Sequence, residues 1–143
     1  MQYLLNTVLE RIKGQVPELR TVDLNSGQLD GQYGPPIDMP CALVDISLPE
    51  CTEIDSDTQN CRMNVVVRVM WEAWGETSAE TPLRWREKAL ENTGLADRIS
   101  WALNGWGTDR FDNLVRKSVI PERRADGLKC YAITFSSSFS DER

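Results

Sequence analysis

The chain has 143 residues, 41% hydrophobic and 27% charged, a length and balance that fit one globular domain able to bury a core without disulfide or metal staples. Its formal charge of −6 is opposite to the basic footprint of a general nucleic-acid binder, and the absence of histidine removes Ser-His and Cys-His nucleophile pairs and every His-containing metal set. No apolar run approaches the roughly 18 residues of a membrane span, and MQYLLNTVLERIKG lacks the basic start and small-residue cleavage site of a secretory signal, so a cytoplasmic chain without a membrane partner is expected.

Residues 2–13 read as a helix with Leu4, Leu5, Val8, Leu9 and Ile12 on one side and Asn6, Glu10, Arg11 and Lys13 facing out; Gly14 and Pro17 end it. Thr21 to Leu24 is a short strand. Residues 25–40, NSGQLDGQYGPPIDMP, are rich in glycine and proline and form a long loop, with Leu29, Tyr33 and Ile37 available to pack down; loops of this length are often either functional or disordered. CALVDISL, residues 41–48, alternates as a strand: Ala42, Val44, Ile46 and Leu48 share one face, Cys41, Leu43, Asp45 and Ser47 the other. Pro49 marks an edge or a bulge, and Asp55-Ser56-Asp57 a turn.

From Asn60 to about Trp74 the chain is β-branched and aromatic, a long strand. Val65, Val67, Val69, Trp71 and Ala73 form its continuous apolar face, assigned to the helices. The mixed face of Asn64, Val66, Arg68, Met70, Glu72 and Trp74 is either partly covered by something outside the chain or simply solvated. If the two arms pair symmetrically about Ser56, Cys51 faces Cys61 and Cys41 faces Trp71, with a bulge at Pro49 shifting the latter by one.

The strongest helical signal is TPLRWREKALENTGLADRISWALNGWG, residues 81–107. Thr81 is placed to cap it and Pro82 to occupy its first position. Leu95, Ala96, Ile99, Ala102, Leu103 and Trp106 form its apolar face, and Asn104-Gly105 ends it. Gly94 marks a kink or a break into two helices, the second capped by Asn92 or Thr93. Beyond Phe111, Leu114 and Val115, two β-rich runs flank Ala125-Asp126-Gly127, a hairpin signal, with Tyr131, Ile133, Phe135 and Phe139 on one face of the last strand and Pro121 marking an edge or interruption. The expected fold is α+β: a mainly antiparallel sheet with the N-terminal and central helices packed on one face.

No constellation here demands catalysis. Cysteines 41, 51, 61 and 130 contain no CxxC pair, so free thiols are expected rather than zinc. Asp45, Glu53, Asp55, Asp57, Glu72, Asp97, Asp109 and Asp112 show no spacing that requires a shared site, and Asp55-Ser-Asp57 falls short of a calcium loop, leaving a solvated turn. Neither GxGxxG nor GxxxxGK[ST] occurs. No cofactor or metal is therefore expected. Arg116, Lys117, Arg123 and Arg124 fall near the last hairpin, where they either touch an acidic partner or DNA, or protect an edge strand by charge. Among the five tryptophans, Trp74, Trp85 and Trp101 are poorly accounted for by the core; they either cover its rim or, as surplus aromatics often do, serve an interface. The candidate interface residues are Tyr33, Asp55, Asp57, Trp74, Trp85, Arg116, Arg123 and Arg124.

The N-terminal helix, MPCALVDIS, NVVVRVMW, LADRISWALNGWGTDRFDNLVRKS and LKCYAITFSSSF, in that order, resemble the phage tail-terminator or tail-completion proteins. The matching positions are Leu103-Asn104-Gly105, Phe111, Leu114, Arg116, and Tyr131 to Phe135. The resemblance implies helices on one sheet and a non-enzymatic virion protein assembled in the bacterial host cytoplasm. It also implies a homo-oligomeric ring, commonly a hexamer, that caps the tail tube and meets a neck or connector protein, without sequence-specific nucleic-acid binding. A head-tail connector or stopper is the nearest alternative. A small acidic immunity or inhibitor protein and a carboxylate-based enzyme remain outside that class.

Overall fold

The β-branched run of residues 64–71 makes the spine of the molecule. In the computed structural model, which describes residues 1–29, 37–72 and 77–142, this run lies in β3 (Thr58–Trp71), at the centre of a five-stranded sheet. β2 (Cys41–Glu53) and β5 (Lys129–Glu142) flank it, and β1 (Thr21–Leu24) and β4 (Val115–Arg123) stand at the edges, in the order β1-β2-β3-β5-β4. All pairings are antiparallel except β1 with β2. The α+β architecture and the mainly antiparallel sheet match expectation.

Side-chain alternation sorts the sheet into two faces. Val65, Val67, Val69 and Trp71 join Ala42, Val44, Ile133, Phe135 and Phe139 in the main core, which the helices cover. α1 (Gln2–Gln15) buries Leu4, Val8 and Ile12, and runs one residue past Gly14 before Val16 caps it. The central helical region is broken in two, as Gly94 foreshadowed. α2 (Leu83–Ala89) is followed by a 3-10 turn (Glu91–Thr93) and then α3 (Gly94–Leu103). Leu95, Ala96, Ile99, Ala102 and Leu103 are buried, and each fully buried large aliphatic contributes about 1.5–3 kcal/mol. Asn104 turns extended and Gly105, at φ +79°, takes the left-handed conformation that stops the helix.

Two local expectations fail. Pro82, not Thr81, is the N-cap of α2, without a side-chain capping bond, and Thr93 at the start of α3 also makes none; its hydroxyl turns back to the Leu90 carbonyl. Arg11 does not face out. Its Nε donates to the Ala102 carbonyl at 2.9 Å and its guanidinium lies 5.3 Å from the Trp106 ring, tying α1 to α3.

The β2–β3 hairpin has the expected register. Cys51 pairs with Cys61, the ladder shifts between Ser47 and Glu50 where Pro49 sits, and Cys41 consequently meets Met70 rather than Trp71. One residue is extra on β2, the signature of a bulge. At the other end of the sheet, Pro121 lies on the edge strand, where a missing amide donor costs no ladder bond.

The parallel β1–β2 pair explains the long loop. Parallel neighbours need a crossover of a dozen or more residues, and residues 25–40 supply it. Leu29, Ile37 and Met39 pack against Cys41, Leu43, Met70 and Cys130 on the face opposite the helices. At that end Leu29, Ile37 and Met39 from the chain itself cover the second sheet face.

Candidate interaction surface

Beyond this small second core the far face turns polar. Arg68 on β3 donates from Nε to Glu122 at 2.8 Å and from a terminal nitrogen to Asp45 at 3.1 Å, and the Asn25 side chain donates to the same Asp45 oxygen at 2.9 Å. Burial works against the Arg68 charge, but its hydrogen bond to Glu122 and the charges of Glu122 and Asp45 outweigh it and hold the guanidinium above its ordinary pKa. Asn25, Arg68 and Glu122, with Arg123 and Arg124, line an open depression of about 370 Å³. Every charged group in the triad is already paired, so this is a brace across β2, β3 and β4 rather than a poised catalytic set.

On the helix side, α2 buries none of its residues; Leu83 and Trp85 are 59% and 60% exposed. The Arg84 guanidinium lies 5.6 Å from the Trp85 ring. Trp101, beside the buried stripe of α3, is 76% exposed and borders a depression of about 490 Å³ that also includes Glu18, Asp97 and Arg98. Arg98 and Glu18 pair there at 2.7 Å. The first half of the 81–107 helical region thus carries apolar side chains with no core beneath them.

The candidate interface residues do not form one patch. Asp55 and Asp57 are exposed at the β2–β3 turn, where the Asp55 carboxylate accepts the Asp57 amide at 2.8 Å and shapes the bend. Arg116 lies at the start of β4 and Arg123 at its end, about 23 Å apart at the usual rise per strand residue. The expected basic cluster at the last hairpin is therefore spread along an edge. Arg124 is engaged within the chain, bonding Asp126 at 2.8 Å and the Leu29 carbonyl, and its bond holds the Asp126 carboxyl below its ordinary value. Trp85 is exposed on α2, while Tyr33 and Trp74 lie outside the described residues.

Topology reveals two surfaces that sequence spacing did not. β1 reaches only Val44 along β2, so from Asp45 to Glu53 the outer edge of β2 has no strand partner among the described residues. β4 is the opposite edge, with Val115, Val119 and Ile120 exposed. Among the described residues no group of three or more His, Cys, Asp or Glu is arranged to hold a metal ion. Among the described residues no helix is long and apolar enough to cross a membrane.

No family model matches the chain, and no curated protein matches it. Among solved structures, it is similar in fold to a chain in the virion of a native gene transfer agent particle, at 12% identity and a TM-score of 0.53, over 93% of this chain and 91% of that one.

Proposed function

We propose that this chain is a structural protein of a phage-like virion, a tail terminator or tail-completion protein that acts without catalysis. In this reading copies assemble into a ring, commonly a hexamer, that caps the tail tube and presents its other side to a neck or connector protein. It would be made in the bacterial host cytoplasm and carried in the particle. The observation that carries the reading is the near full-length fold similarity to a chain of a gene transfer agent virion. The surface agrees with it: apolar residues lie exposed on α2, α3, the β4 edge and, at Ile54, the β2–β3 turn, while the depressions beside Trp101 and Arg68 contain no convergent acid, base and nucleophile.

The test is light scattering of the purified chain across a concentration series, with and without the tail-tube protein encoded beside it, followed by electron microscopy of the products. Rings, or a stoichiometric cap on tube ends, are expected. A chain that stays monomeric throughout and ignores the tube overturns the proposal. Binding to the portal side alone would instead assign it to the connector class.

A further inference from the structure

The two open sheet edges differ in charge. Residues 45–57, which include the unpartnered stretch of β2 and the following turn, hold Asp45, Glu50, Glu53, Asp55 and Asp57 and no lysine or arginine. Residues 115–124, the whole of β4 and one residue beyond, hold Arg116, Lys117, Arg123 and Arg124 against Glu122 alone. Among the described residues no ion pair uses Arg116, Lys117 or Arg123 on the one edge or Glu53, Asp55 or Asp57 on the other, whereas Arg68 takes both Glu122 and Asp45 and Arg62 takes Glu50. A lone basic edge is a common guard against like edges pairing. A basic edge and an acidic edge on opposite sides of one sheet do more: they disfavour β4 on β4 and β2 on β2, and favour β4 on β2.

Length and direction agree. β4 has nine residues, and the open stretch of β2, Asp45 to Glu53, is as long. Each carries one bulge and one proline, and at the start of β4 the Arg116 amide is already taken by the Asn104 side chain at 2.9 Å. Successive antiparallel pairings from β2 through β3 and β5 make β4 run opposite to β2. When protomers repeat around an axis along the strands, β4 of one therefore meets β2 of the next antiparallel. Aligned end to end, Arg116 and Lys117 come alongside Glu53 and the acidic turn, and Arg123 comes alongside Asp45. Exposed Val115, Val119 and Ile120 then meet the stretch that carries Ile46, Leu48 and Ile54.

We propose that copies of this chain join through these edges, β4 of one protomer adding to the Asp45–Glu53 stretch of β2 in the next. The contact is heterologous, and such contacts close into rings when the rotation per subunit permits. The inference deepens the self-assembly reading above and rests on it; the occupant of each edge is a second copy of this chain.

Two charge-reversed proteins test it: R116E/K117E/R123E, acidic on both edges, and E50K/E53K/D57K, basic on both. Circular dichroism and denaturant midpoints establish that each folds. By sedimentation velocity, each alone is expected to remain monomeric at concentrations at least 10-fold above those at which the wild type assembles. Mixing the two in equal amounts is expected to restore assembly by alternation. Hydrogen exchange on the wild type is the second measurement, independent of any variant: amides in 45–53 and 115–123 should gain protection on assembly while those of α2 do not. A wild type that never assembles overturns the self-assembly reading and this contact with it. Wild-type assembly that survives either reversal, or leaves those amides unprotected, overturns the contact alone. Loss of assembly without restoration on mixing means the edges meet another partner, which also overturns it.

Discussion

Cys51 lies directly opposite Cys61 across the β2–β3 ladder, the first exposed and the second fully buried, and both are free thiols. Directly opposed Cβ atoms sit about 4.5–5.5 Å apart, whereas disulfides favour about 3.8 Å, so adjacency here does not require a bond. Burial, followed by the neighbouring Cys51 thiol, pushes Cys61 up to about 11. The thiolate is the reactive form. Native alkylation at neutral pH should therefore label Cys51 rapidly and leave Cys41, Cys61 and Cys130 unmodified until the chain is unfolded. Peptide mass spectrometry reads this directly, and fast labelling of any of the three buried thiols would contradict it.

The same burial predicts a stability change with pH. Cys41 and Cys130 are each pushed from the ordinary value of 9.0 to about 11, chiefly by burial. Between these values the unfolded chain has released protons that the folded chain still holds. The stabilising contribution is thus fully present below about pH 9 and is lost as pH rises through about 11. Denaturant midpoints should fall across that window, and a Cys41→Ala, Cys130→Ala double variant should show a shallower fall than the parent. Parallel slopes would mean the buried thiols do not set the alkaline limb.

Ile99 and Leu103 are fully buried on α3, and Trp101 on the same helix is 76% exposed. Ile99→Ala and Leu103→Ala should each cost about 2–5 kcal/mol, the sum of lost transfer energy and the cavity left behind. Trp101→Ala should stay within about 0.5 kcal/mol in the monomer. Urea melts of the three variants separate the outcomes; losses below about 1 kcal/mol at both core sites would place the helix wrongly.

What was readable in the sequence was whatever depends on local period. Ala42, Val44 and Ile46 against Cys41 and Leu43, the valines of β3, and the stripe from Leu95 to Leu103 all fell on the faces their spacing implied. The bulge at Pro49 and the left-handed Gly105 follow from the chemistry of those residues. What was not readable depends on partners distant in sequence. Four residues, Thr21 to Leu24, carry too little pattern to show that they pair parallel to β2, so the loop at 25–40 could not be recognised as a crossover. Arg11 sits on a polar helix position, yet its long side chain reaches back to Ala102 on another helix. The separation of Arg116 from Arg123, and the opposition of an acidic and a basic edge, exist only once strand order is known.

Gly107 and Gly94 make a contrasting pair. Gly107 lies in the turn closed by the bonds from the Gly105 amide to the Leu114 carbonyl at 2.7 Å and from the Leu114 amide to the Trp106 carbonyl at 2.8 Å. A Cβ at Gly107 would stand 2.8 Å from the Asn113 backbone nitrogen and 2.9 Å from the Asp112 carbonyl carbon. Backbone atoms cannot swing aside as a side-chain tip does, so Gly107→Ala must open the turn that seats Phe111 and Leu114 in the core. Overpacking of this kind costs about 1–3 kcal/mol. Gly94, at the start of α3, has φ −63° and ψ −19°, and a Cβ there meets nothing within 4 Å. An alanine adopts that geometry without strain and restricts the unfolded chain, so Gly94→Ala should stabilise by about 0.4–1 kcal/mol. Thermal or denaturant melts of the two variants should move in opposite directions. A destabilised Gly94→Ala would mean that the break between α2 and α3 needs the freedom of glycine, and an unchanged Gly107→Ala would mean that the 105–114 turn yields more easily than its hydrogen bonds imply.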